Sequence, residues 1–190
     1  MPPIDEAEVR RLVREAVERV LGEQATRSAR PTAPPPPADS RRVALGSDHG
    51  GFSLKEALKR FLVEELGYEV VDCGTHGPEP VDYPDFAAAV AREVAQGRCA
   101  RGIVVDAAGI GSTMAANKVS GVRCALCHDL ATVLNSREHN DANLLALGAK
   151  VVNPGMARRL VKEFLATPFA GGRHERRVRK IMELEARSGG

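Results

Sequence analysis

Residues 102–113 read GIVVDAAGIGST. Three apolar residues, Ile103 to Val105, run into Asp106, followed by two alanines, Gly109-Ile110-Gly111 and Ser112-Thr113. An apolar run stopped by a glycine pair predicts a buried parallel strand turning into a helix. Such a turn presents backbone N–H groups at a helix N-terminus, where anions bind. A carboxylate at the mouth of an anion site is either a turn residue or the reactive group. No third glycine completes a dinucleotide fingerprint and no P-loop lysine is present, so a nucleotide-binding turn is poorly supported. Cys124 and Cys127 form C-A-L-C, but no second ligand pair accompanies them. Their place in an apolar run reads as packing, and no metal site is expected.

The elements that must carry this stretch follow from an alternation of patterns. RVALGSD (42–48) reads as strand then loop, FSLKEALKRFLVEEL (52–66) as an amphipathic helix and YEVVDCG (68–74) as a strand. PDFAAAVAREVAQG is a helix opening at Pro84, and the strand ending at Asp106 follows it. STMAANKV (112–119) is the next helix, GVRCALC (121–127) a strand and DLATVLNSREH (129–139) a helix. LLALGAKVV (144–152) is the last strand, followed by the helices GMARRLVKEFLAT (155–167) and HERRVRKIMELEARS (174–188). Five strands alternating with helices imply a doubly wound, Rossmann-like α/β domain, a five-stranded parallel sheet with helices on both faces. Sites in such sheets lie beyond the C-terminal strand ends. That rule selects Gly46–Gly51, Asp106–Thr113 and Cys127-His128-Asp129.

Composition changes sharply near residue 40. Residues 4–21 place Ile4, Val9, Leu12, Val13, Ala16, Val17, Val20 and Leu21 at helical spacing, with Gly22 as a stop. A Pro-, Ala- and Ser-rich linker follows over 25–41. Three segments are therefore expected: an amphipathic helix in 1–24, a linker in 25–41 and a folded domain in 42–190. A helix separated from the domain by such a linker needs another surface for its apolar stripe. Its polar face balances acids against bases, which favours a protein partner over anionic lipid. The 190 residues carry a formal charge of +2, few aromatics and no Trp, so no nucleic-acid surface is expected. No apolar run is long enough to span a membrane, the N-terminus lacks a secretory pattern, and four scattered cysteines fit a reducing cytoplasm.

In this order, SDHGGFSLK, VDYPDFA, GIGSTMAANKVSGVRCALCHD, SREHNDANLLALGAKVV and GGRHERRV resemble ribose-5-phosphate isomerase type B and the galactose-6-phosphate isomerase subunits. The resemblance covers residue 42 to about 185. It implies reversible aldose–ketose isomerisation of a sugar phosphate without metal or cofactor, in a homodimer (or tetramer) whose active sites draw on both subunits. Residues 1–41 lie outside it and are similar to the encapsulation peptides that carry enzymes into bacterial microcompartments. That implies a shell or cargo partner bound through residues 4–21, and a location inside a cytoplasmic microcompartment.

The resemblance implies a role for each matching residue. His139 opens the furanose ring, and Asn140 donates to a sugar or enediolate oxygen. Asp48 and His49 bind hydroxyls and phosphate, and Tyr83 lines the pocket. Arg173, His174 and Arg177 hold the phosphate, a task suited to the guanidinium fork. Lys150 stands where an Arg is frequent. His76 is expected to be exposed and His128 to lie near the pocket.

The loop itself departs from the family pattern. Asp106-Ala107-Ala108-Gly109 stands where Cys-Gly-Thr-Gly is usual, so Asp106 replaces the proton-transferring cysteine and a hydroxyl is lost at Ala108. A carboxylate near pKa 3.9 is already ionised at neutral pH, and dry alanine walls raise its basicity. Asp106 is thus expected to be the base, with a sugar-binding role and a helix cap as alternatives. Its distance in sequence from Ser112 makes the cap awkward. Backbone N–H groups of Gly109, Ile110, Gly111 and Ser112, with the Ser112 hydroxyl, are the expected enediolate donors. Isomerisation of a hexose 6-phosphate and a non-catalytic sugar-phosphate-binding cargo protein are the competing readings.

Overall fold

A computed structural model describes residues 41–188. The helix expected over 4–21, and all but the last residue of the linker, lie outside the described residues. The chain runs β1 (Arg42–Ser47), α1 (Phe52–Arg60), β2 (Glu69–Asp72), α2 (Tyr83–Ala95), β3 (Arg101–Asp106), α3 (Ile110–Ala116), β4 (Cys124–Leu126), α4 (Leu130–Glu138), β5 (Leu144–Gly148), α5 (Pro154–Ala166) and α6 (Arg173–Ser188). All neighbouring strands are parallel, in the order β2-β1-β3-β5-β4. The expected doubly wound fold is the one observed.

The continuous apolar runs of β1, β3 and β5 serve two cores at once, because alternate strand residues face opposite sides. Val43, Leu45, Ile103, Val105, Leu145 and Leu147 pack with Leu58, Val133, Leu160 and Phe164 of α1, α4 and α5. Ala44, Val104, Leu144 and Ala146 pack with Val90 and Ala91 of α2 and Ala116 of α3. The direction in which strands are added to the sheet reverses between β1 and β3, so their C-terminal ends flank the crevice where ligands bind in such sheets.

Three elements differ from the sequence reading. The helix expected to run to Leu66 opens into a π-helical turn over Phe61–Glu65, which keeps both Phe61 and Leu62 buried. β5 stops at Gly148 because the next main-chain groups leave the ladder for the β3 loop: Ala149 N–H donates to the Asp106 carbonyl and Lys150 N–H to that of Ala107. β4 is three residues long. On its open edge the Asn117 side chain stands in for a strand, accepting from Cys124 N–H at 2.8 Å and donating to the Cys124 carbonyl at 2.9 Å.

Lys55, fully buried on α1, ties that helix to the end of β2. Its ammonium donates to both Asp72 oxygens at 2.9 and 3.1 Å and to the Thr75 carbonyl at 2.8 Å. Burial alone would raise the Asp72 carboxyl. Hydrogen bonds from Lys59, the Gly74 N–H and Lys55 outweigh burial and hold it at about 2, below its ordinary 3.8. A depressed carboxyl stabilises the fold above its unfolded value, and that contribution is lost as pH falls through the folded one. Urea midpoints should therefore decline as pH falls from the ordinary value of 3.8 towards 2. Asp72→Asn should flatten that dependence and cost about 3 kcal/mol at neutral pH, since the buried Lys55 then keeps only Glu56 as a carboxylate partner.

Candidate active site

At the C-terminal ends of β1, β3 and β5 three loops meet. Asp48 follows β1 and is 8% exposed; its Oδ1 accepts from Gly51 N–H at 2.9 Å, and its own N–H donates to the Val105 carbonyl. His49 is exposed, with Nδ1 3.2 Å from the Val81 backbone, which brings the segment before α2 alongside. Tyr83 opens α2 and lays its ring on Gly111: a Cβ there would lie 2.5 Å from Tyr83 Cζ. Lys150 joins the group through its main-chain bond to Ala107, with its side chain exposed.

Asp106 ends β3 and is 5% exposed. One carboxylate oxygen accepts from Ala108 N–H at 2.8 Å and from Gly109 N–H, and the other accepts from Ser112 N–H at 3.0 Å. The cap that looked awkward in the sequence therefore forms. Gly109 makes it possible: with φ at +82° it doubles the chain back, and a Cβ there would collide with Leu126 and the Leu147 carbonyl carbon. The donor set changes accordingly. Gly109 and Ser112 direct their N–H groups at Asp106, whereas those of Ile110 and Gly111, at the start of α3, do not join it. Ser112 is fully buried and its Oγ has no partner.

The remaining expected residues lie elsewhere. His139 follows the C-terminal end of α4 and stacks on His174 of α6, with ring centroids 4.1 Å apart and planes 3° from parallel. Arg173 Nε donates to His174 Nε2 at 3.4 Å, and Arg177 lies one helical turn further on. Burial lowers the His174 pKa, as do His139, Arg173 and Arg177, against an opposing pull from Glu138. Asn140 donates to the Asn135 carbonyl at 3.1 Å and to its side-chain oxygen at 3.0 Å.

Helices that connect parallel strands run back against them, so α4 carries the chain from the C-terminal edge of the sheet to the N-terminal edge. Its nine residues span about 13 Å. His139, Asn140 and the α6 arginines thus sit at the far edge from Asp106, Asp48 and Tyr83. The chain therefore holds the expected residues in two separate groups and does not bring them together.

The other histidines are secondary. His76 is exposed, and His128, after β4, has a buried Nδ1 without a partner. Asp129 caps α4 through Thr132 N–H. The four cysteines are free; burial pushes the thiols of Cys73 and Cys124 up to about 12, which suits packing. Among the described residues no cluster of metal-ligating side chains occurs. Asn135 and Asn117, which hold His139 and β4, went unrecognised in the sequence because nothing in their spacing marks them.

The profile of the Ribose/Galactose Isomerase family matches residues 43–181. Ribose-5-phosphate isomerase B of Escherichia coli is 42% identical over 147 residues, covering 77% of this chain and 98% of the relative. The solved structure of Clostridium thermocellum ribose-5-phosphate isomerase B is 50% identical, with a TM-score of 0.76 over 77% of this chain and 99% of that one. The type B ribose 5-phosphate isomerase of Trypanosoma brucei is 45% identical, with a TM-score of 0.73 over 76% and 99%. With this fold and these relatives, the chain belongs to the ribose/galactose isomerase family and is an isomerase.

Proposed function

We propose that the chain interconverts ribose 5-phosphate and ribulose 5-phosphate through an enediolate, as a homodimer with shared active sites and as cargo of a bacterial microcompartment. The observation that carries the reading is the complementarity of the half-sites. One edge offers a ring opener beside three cationic or polar phosphate ligands; the other offers two carboxylates and outward N–H groups.

His139 protonates the ring oxygen, and Arg173, His174 and Arg177 hold the phosphate. Asp106 takes the proton from carbon 2 and returns it to carbon 1 through Oδ2, the oxygen that accepts one N–H rather than two. Ile110 and Gly111 face the enediolate oxygen, Asp48 and Asn140 the hydroxyls, and Tyr83 the sugar's flank. Asp106→Asn keeps an acceptor for Ala108 and Gly109 but sets an amide donor against Ser112 N–H. It should lower kcat about a thousandfold and leave sugar-phosphate affinity within about tenfold, with an unchanged far-UV spectrum. Near-wild-type turnover would pass the base role to Asp48. The same assay with hexose 6-phosphates tests whether the altered loop selects another sugar.

The separation of the halves supports sharing between subunits. An open groove of about 1220 Å³ along β4, α4 and α6, lined by Leu126, Asn135, Asn140, Ile181 and Leu184, offers apolar surface for a second copy. In a mixed dimer of Asp106→Asn with Arg177→Ala, both lesions fall in one site and the other is intact. Mixed dimers should recover about half the wild-type rate per dimer, although each parent homodimer is impaired. No recovery after verified mixing would mean that each site lies within one chain.

Residues 1–41 support the cargo reading. The relatives match almost end to end from the first strand onward, so this segment is an extension relative to them. Its sequence pairs an apolar helical stripe with a linker. Deleting it should leave isomerisation intact and abolish recruitment to a shell, and residues 1–24 fused to a fluorescent protein should confer recruitment. Val13→Asp with Val17→Asp should break recruitment, because burying a few hundred Å² of stripe contributes only several kcal/mol. Loss of fold on deletion, or persistent shell association, would overturn the address reading.

A further inference from the structure

His139 Nδ1 lies 2.8 Å from the amide nitrogen of Asn135, one helical turn earlier. The two ends of an asparagine amide are told apart only by their partners. Here the partners decide. The Asn140 amide nitrogen is 3.1 Å from the Asn135 main-chain carbonyl, a group that only accepts, so Asn140 presents its NH2. The same NH2 lies 3.0 Å from the Asn135 side chain, which must answer with its oxygen. That turns the Asn135 NH2 towards His139. Nδ1 of His139 therefore accepts, and the proton of the neutral ring sits on Nε2. The flat stack on His174 fixes the plane of the ring, and the Arg173 guanidinium anchors His174 in turn.

We propose that Asn135 is a positioning residue that sets the tautomer of His139 and so presents Nε2–H as the proton donor for ring opening. The proposal rests on the reading of His139 as ring opener given above. In the step it serves, the bond between carbon 1 and the ring oxygen breaks. Its electron pair stays on that oxygen, which takes the proton from Nε2. The anomeric hydroxyl becomes the carbonyl and passes its proton to water, and water returns one to Nε2. A ring with its proton on Nδ1 has no donor to offer at Nε2.

Asn135 is exposed on α4, so its substitution spares the core. The test is imidazole 15N NMR of the full chain in mildly alkaline buffer, with the His139 signal assigned by its loss in His139→Phe. Wild type should carry the proton on Nε2. Asn135→Asp, which places an acceptor against the ring, should move it to Nδ1, and Asn135→Ala should give a mixture. Kinetically, Asn135→Asp should slow turnover of cyclic ribose 5-phosphate about tenfold or more and that of open-chain ribulose 5-phosphate less than about twofold. A wild-type ring protonated on Nδ1, or an Asn135→Asp ring still protonated on Nε2, overturns the proposal. So does a switched tautomer with equal losses on both sugars. If the wild type turns over neither pentose phosphate, the nitrogen shifts still test the tautomer, and it is the proposed substrate that fails.

Discussion

The parallel sheet imposes the constraint from which the rest follows. Every strand points the same way, so every connecting helix must run back, and loops divide between two edges of the sheet. Main-chain groups released at strand ends gather on one edge, where β1 and β3 part and Asp48, Asp106 and Tyr83 collect. Side chains placed at the ends of returning helices gather on the other. His139, at the end of α4, cannot reach Asp106 by any local rearrangement, because the hydrogen-bonded ladder of β3 and β5 lies between them.

Asp106 shows how one substitution acts on two levels. A thiol in that place would leave the loop's N–H groups to other acceptors. The carboxylate takes three of them and closes the turn between β3 and α3 on itself. Each such charge-assisted bond stabilises the loop more than a neutral one would. The loop gains rigidity while its stock of outward donors shrinks. Oδ2 takes one N–H where Oδ1 takes two, so its accepting capacity is only partly used.

Much of this was legible in the sequence. Short apolar runs bounded by turn residues and alternating with longer helical patterns marked all five strands, because length and flanking residues decide where a continuous run has no period of its own. The side chains of Asp129 and Asn153 cap α4 and α5, accepting from the N–H groups of Thr132 and Met156. What was hidden is non-local. The early end of β5 depends on the carbonyls of Asp106 and Ala107, about forty residues back in the chain. The Asp106 cap depends on a left-handed Gly109, a conformation that nothing in the sequence distinguishes from that of any other glycine in an anion loop. Asn117 and Asn135 carry no periodic signal, because their task is to complete hydrogen bonds of groups placed by other elements. The separation of the two groups of site residues follows from parallel strands joined by returning helices, and shows only when each residue is assigned to one edge of the sheet.

The side chain of Asn117 has a consequence for how copies of this chain can meet. Sheets commonly join by adding strands edge to edge, a mode that depends on main-chain groups and hardly reads sequence. On β4, Asn117 already holds both outward main-chain groups of Cys124, in a strand only three residues long. An incoming strand would find its first rung taken. Association along this edge is thereby diverted from backbone pairing to contact between side chains, where shape and charge discriminate. A single amide thus closes the rung that an extended peptide would need, and leaves this edge to contacts between side chains.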